Sequence, residues 1–166
     1  MTHRKVSLLA SGLTAFSMLA AHSLPVLAAE YQQGDVAIEH PWSRPTPPGT
    51  PVGVGYMTIH NHGDQSVTLV AGETPVAGQV SIHETVMHDG LMKMQPLPDG
   101  LTVSAGETVV LKPHSFHLML EQLKRPLAEG EEVPLTLQFE GMEPMEIILQ
   151  VQQMDAMPSK MDHSDH

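Results

Sequence analysis

The chain is 166 residues long, carries a formal net charge of −11 and has no cysteine, against twelve methionines and eleven histidines. The acidic balance disfavours nucleic acid and anionic membranes, both of which need a positive patch. Without cysteine there is no thiol redox motif, no cysteine-ligated zinc, no blue-copper His2Cys site and no lipidated cysteine.

The first residues set the compartment. His3, Arg4 and Lys5 are followed by a mostly apolar run from Val6 to Leu19, and Leu24-Pro25-Val26-Leu27-Ala28-Ala29 then ends on small residues. That order predicts a secretory signal peptide over residues 1–28, cleaved after Ala28. The run falls short of the ~20 residues a spanning helix needs. The expectation is an exported, periplasmic protein with no membrane contact after cleavage. Residues 29–153 suit one domain with a single core.

Within that domain Gly and Pro punctuate short runs rich in Val, Ile, Leu and Thr, which predicts an all-β sandwich or barrel. Strands are expected near Val36–Glu39, Gly53–Asn61, Ser66–Glu73, Gln79–Thr85, Leu91–Pro96, Leu101–Val103, Thr108–Lys112, His117–Leu120, Glu132–Phe139 and Met145–Gln152. The proline-rich stretch from Pro41 to Gly49 reads as a long ordered loop or an edge, because its prolines lack backbone donors. His88-Asp89-Gly90 and Pro98-Asp99-Gly100 read as hairpin turns. No clear helix is expected. Residues 154–166 carry Met, His, Asp and Pro without a strand period, which predicts a disordered tail.

Strand alternation puts residues i and i+2 on one face. His117 and Met119 therefore share a face, with Leu118 and Leu120 opposite. Met92 and Met94 share a face on an earlier strand, and His83 lies on a third. Thioether sulfur is soft and neutral and imidazole is borderline, so the group His83, Met94, His117 and Met119 favours Cu(I) over Zn(II), Mg(II) or Ca(II). A nearby acid such as Glu84 could help retain the cation. Met92 is the nearest rival to Met94. Met57, Met142 and Met145 read as core filler, and His40, His60 and His62 as surface or hydrogen-bonded residues. Met87, His88 and His114 are placed in turns flanking the group, and Trp42 covers either the core or the site.

The segment VSIHETVMHDGLMKMQPLPDGLTVSAGETVVLKPHSFHLMLEQLKRPL, from Val80 to Leu127, resembles the PCuAC family of periplasmic copper chaperones. The family signature is His, ten residues, Met, twenty-one residues, His-x-Met. Here ten residues separate His83 from Met94, and His117-x-Met119 closes the pattern. Twenty-two residues separate Met94 from His117. The extra one is expected in the Leu97-Pro98-Asp99-Gly100 turn, where it leaves strand faces unchanged. HPWSRPTPPGTPVGVGYMTIHNHGDQ resembles the family's N-terminal block. The resemblance implies a cupredoxin-like Greek-key β-sandwich with an exposed Cu(I) site. It also implies transfer of copper to an acceptor, the copper subunit of cytochrome c oxidase or another copper chaperone.

In the tail, Met154, Met157, Met161, His163 and His166 form a candidate secondary metal site; His nitrogen with carboxylate oxygen suits Cu(II). No enzyme is expected: there is no Gly-x-Ser-x-Gly elbow and no HExxH helix. The rival to delivery is a periplasmic copper buffer or resistance protein with the same site chemistry.

Overall fold

The computed structural model describes residues 30–154. The predicted signal peptide and the tail beyond Met154 lie outside these residues. Eleven strands follow in order: β1 Glu30–Gln33, β2 Val36–Ser43, β3 Val52–Asn61, β4 Val67–Glu73, β5 Gln79–His88, β6 Leu91–Pro96, β7 Leu101–Val103, β8 Thr108–Leu111, β9 Phe116–Glu121, β10 Glu132–Phe139 and β11 Met145–Val151. Among the described residues no helix is long and apolar enough to cross a membrane.

The hydrogen-bonded order is β1-β2-β11-β10-β4-β5-β9-β3-β8, with β6 on β5, β7 on β4, and a further β2–β3 pairing that closes the ring. The ring is thin at two seams. β4 meets β5 at one register pair, Gly72↔Val80, and β11 meets β2, in parallel, at two. These seams divide it into two packed layers. One carries β11, β10, β4 and β7; the other carries β8, β3, β9, β5 and β6, with β2 bridging. The arrangement is a cupredoxin-like β-sandwich. Its crossover connections lay β9 between β5 and β3, bringing together segments distant in sequence.

β10 and β11 bury alternate residues along their length. Leu118 and Leu120 of β9 pack inward with Ile82 of β5, Leu69 of β4, Leu135, Leu137 and Phe139 of β10, and Ile147 and Leu149 of β11. Full burial of each such side chain stabilises by ~1.5–3 kcal/mol. Gly55 and Gly53 of β3 stand opposite Leu118 and Leu120. A Cβ at Gly55 would come within 3.3 Å of Leu118, and one at Gly53 within 3.3 Å of Leu127, so the missing side chains make room for β9 on β3 and for the Leu127 side chain after it. Met57 and Met145 belong to this core, and Met142 packs against it.

Three expectations need correcting. The Pro41–Gly49 stretch is not all loop, because β2 continues through Pro41, Trp42 and Ser43. The register between β2 and β3 shifts between Glu39 and Trp42, and His40 takes a φ of 50°. That irregularity lets a proline sit within a paired strand without breaking the ladder. Secondly, Glu30–Gln33 forms an unforeseen strand, paired with β2 and too polar to announce itself by alternation. Thirdly, β5 runs on to His88, so Met87 and His88 end a strand instead of occupying a turn. The turn is Asp89-Gly90, both with positive φ, as a two-residue type I′ hairpin requires.

Candidate metal centre

His83 and His117 are register partners on the adjacent strands β5 and β9. Their rings stack with centroids 5.8 Å apart and planes 19° apart. The β5–β9 and β5–β6 ladders run without a register shift. Side chains directly opposite in such a ladder lie on one face. That face carries Ser81, His83, Thr85 and Met87 from β5, Met92 and Met94 from β6, and His117, Met119 and Glu121 from β9. The Leu97–Gly100 turn closes tightly, with the Gly100 N–H donating to the Leu97 carbonyl at 3.0 Å. Gly100 has a φ of 88°, and a Cβ there would meet the Leu69 carbonyl oxygen at 2.4 Å.

His117 is 3% exposed, although its face is the outer one. Its Nδ1 lies 3.0 Å from the Ser115 carbonyl. A carbonyl only accepts, so Nδ1 carries the proton and, in the neutral ring, Nε2 carries the lone pair. Nε2 is buried with no hydrogen-bond partner among the described residues. A buried acceptor without a partner costs stability, and native proteins seldom leave one. The turn that holds this ring is fixed by Ser115, whose N–H donates to the Lys112 carbonyl and whose carbonyl accepts from Thr85 of β5.

His83 is oriented by a different route. Its Nδ1 lies 3.3 Å from the Ser81 hydroxyl, and that hydroxyl donates to the Glu121 carboxylate. With its proton committed to Glu121, the hydroxyl accepts from Nδ1–H, and the Nε2 lone pair of His83 is left for a ligand. Burial holds His83 below the usual imidazole value of 6.5; neighbouring His117 adds to the depression and Glu121 opposes it. The ring therefore stays neutral further into the acid range. The acid at the site is Glu121, not the expected Glu84. Glu84 is offset by one residue from His83, so it points to the opposite face, where Gln95 donates to it.

The two thioethers flank the imidazole pair. Met119 stands two residues from His117, opposite Ser81 of β5 and Val54 of β3, and is half-buried. Met94 stands opposite Thr85 and is 62% exposed. A half-open cavity of about 390 Å³ is lined by His117, Met94, Met92, Tyr56, Arg44 and Met154 among others. His83 and Met119 do not line it; they adjoin His117 across and along the strands. Trp42 is buried with its ring 4.7 Å from that of Tyr56, its register partner, so it lies beside Tyr56 on the cavity's side of the sheet and outside the core cluster. Burial pushes the Tyr56 hydroxyl above its usual value, which Arg44 partly offsets.

Sequence reasoning did not find Tyr56, Arg44 or Ser81 at the site. Only Ser81 left a signal, standing two residues before His83 on one strand face. The stacked pair His60 and His62 is separate, and His60 is occupied by Glu39 and Thr108. Among the described residues no three His, Asp or Glu side chains converge as a metal site.

The family "Putative lipoprotein LpqE-like" matches residues 36–151. The chain belongs to the LpqE-like family, which is of PCuAC type. A lipoprotein-named relative from Leifsonia xyli subsp. xyli, Lxx21020, is 30% identical over 108 residues, covering 65% of this chain and 64% of the relative. The chain thus spans less than two thirds of that relative's length. Among solved structures, the apo PCuAC domain of PmoF1 is 28% identical with a TM-score of 0.61, covering 75% of this chain and 98% of that one. The Cu(I) form of DR1885 from Deinococcus radiodurans is 29% identical with a TM-score of 0.58, covering 82% and 84%. This PCuAC-type domain shares with them the cupredoxin-like sandwich on which the two imidazoles stand.

Proposed function

We propose that this protein is an exported copper-binding chaperone that holds Cu(I) between His83 and His117 with thioether ligation from Met119 and Met94. The observation that carries the reading is the buried, unpartnered Nε2 of His117, with the Nε2 lone pair of His83 across the strand pair. Both rings have their other nitrogen committed, as metal-ligating histidines do. With no third His, Asp or Glu converging among the described residues and soft sulfur on either side, the donor set suits Cu(I). The Cu(I) form of DR1885 and the fold it shares with this chain support the same ion.

Binding and hand-over, not turnover, follow from this geometry. The ligands are neutral, one side of the site is solvent-exposed, and an acceptor can replace them one at a time. The reading extends to an acceptor that is the copper subunit of cytochrome c oxidase or another copper chaperone. The alternative is a periplasmic buffer without oxidase delivery. The tail, with Met154, Met157, Met161, His163 and His166, is proposed as a capture segment for Cu(II).

X-ray absorption on the Cu(I)-loaded protein tests the site. Mixed nitrogen and sulfur scatterers are expected, and a shell of nitrogen and oxygen alone would overturn it. Incubation of the loaded protein with a soluble oxidase copper domain separates delivery from buffering.

A further inference from the structure

The β5–β6 hairpin outruns the sheet that carries it. β5 pairs with β9 only from Gln79 to Glu84. From Thr85 to His88 its ladder partner among the described residues is β6 alone, through Thr85↔Met94, Val86↔Lys93, Met87↔Met92 and His88↔Leu91. One face of this projecting ladder is Met87, Met92, Met94 and Thr85; Lys93, Val86, His88 and Leu91 lie on the other. Met87 is 67% exposed, Met92 50% and Met94 62%. Side chains so exposed gain little from burial, so the usual reason for methionine, filling a gap in a core, does not apply.

We infer that Met87, Met92 and Met94 form a second site for a soft monovalent ion, Cu(I) or its analogue Ag(I), built from thioethers alone. Directly opposed residues in an antiparallel ladder have Cβ atoms about 4.5–5.5 Å apart. Two unbranched, three-bond side chains at that spacing can close on one ion, and Met94 lies two residues further along the same face. Three neutral sulfurs offer a low-coordinate ion a soft shell, with nothing for hard or borderline cations such as Mg(II) or Zn(II). The cationic Lys93 lies on the opposite face, pointing away from the three sulfurs.

This inference rests on the His83/His117 reading in one respect, since Met94 is shared by both sites. Sharing gives a graded path. An ion taken up by exposed thioethers passes through Met94 to imidazoles at the buried end, exchanging ligands singly, and leaves by the reverse route.

The test is titration of the full chain, labelled at its methionine methyl groups, with Ag(I) and then Cu(I) under anaerobic reducing conditions, followed by NMR. Per-residue signals separate the hairpin from the tail methionines. The Met94 and Met119 methyls and the His117 ring are expected to respond to the first equivalent, and Met87 and Met92 to shift together with the next. Met87→Leu with Met92→Leu is expected to bind one equivalent fewer while the His117 ring responds as before; Met87→Gln with Met92→Gln serves if the leucine variant aggregates. Met87 and Met92 signals unmoved at three equivalents, or an unchanged stoichiometry in the double variant, would overturn the inference. A silent His117 ring and Met119 methyl would instead overturn the His/Met site, with the hairpin decided by its own two signals.

Discussion

His117→Leu separates what the site does for the fold from what it does for copper. In the apo protein the imidazole contributes one hydrogen bond, to Ser115, and leaves Nε2 buried and unpaired. The lost hydrogen bond costs ~0.5–1.5 kcal/mol, and removal of the orphaned acceptor returns ~1–3 kcal/mol. The Ser115 carbonyl is not orphaned in turn, because the Thr85 N–H still donates to it at 3.1 Å. The net expectation is an apo variant more stable than wild type by ~1 kcal/mol, or roughly 3–5 °C in Tm for a domain of this size.

With metal the order reverses. A ligand at 100 times its Kd stabilises the native state by ~2.7 kcal/mol. Wild type should then rise by roughly 10 °C on that same size scaling, and the variant should rise far less. Calorimetric scans of both proteins, apo and with Ag(I) or Cu(I), read all four values. An apo variant less stable than wild type by 1 kcal/mol or more would refute the claim that Nε2 stands uncompensated. Equal metal-induced shifts would refute its role as a ligand.

Other outcomes follow from the same geometry. Met119→Ala is expected to weaken Cu(I) binding at least tenfold, or ~1.4 kcal/mol, in competition titrations, with circular dichroism unchanged; undiminished affinity would remove Met119 from the ligand set. Ser81→Ala frees the His83 ring from the Glu121 relay and should cost about tenfold in affinity, the lower end for loss of an orienting partner. Because the folded-state value of His83 lies below 6.5, protonation favours the unfolded chain. Its contribution is present above pH 6.5 and lost as pH falls through the lower folded value, so denaturant midpoints should decline there in wild type and less in His83→Gln. Deleting residues 155–166 is expected to lower Cu(II) stoichiometry by calorimetry, and an unchanged value would refute capture by the tail.

The sandwich was legible because alternation is dense where strands are long. Val52–Asn61, Glu132–Phe139 and Met145–Val151 each carry an unbroken inward set. Glu30–Gln33 has no such set, and the strand through Pro41 exists only because a register shift absorbs the proline. Three strands of the site could be named from spacing, since His83, Met94, and the pair His117 and Met119 sit at fixed parity along them. What spacing could not supply is the pairing of β5 with β9, whose register partners are separated by more than thirty residues. Only that pairing places His83 beside His117 and brings Ser81 and Glu121 into a relay; Glu84's turn to the other face follows from alternation alone.

The same pairing explains how one face can bind an ion firmly enough to keep and loosely enough to release. Its buried end is rigid. His117 is packed against the sheet, its proton held by a carbonyl that also ties β5 to the turn before β9. Its exposed end is a ladder of two strands with no third beside it among the described residues, carrying flexible thioethers. Ordered imidazoles reduce the cost of organising the bound state, while mobile sulfur ligands can depart singly. Bracing the hairpin would then slow copper transfer more than it strengthens copper binding. A cross-hairpin disulfide at Val86 and Lys93, on the face away from the methionines, provides that brace: its expected signature is a nearly unchanged Cu(I) Kd with a slower hand-over, and an equal loss in both would refute this division of labour.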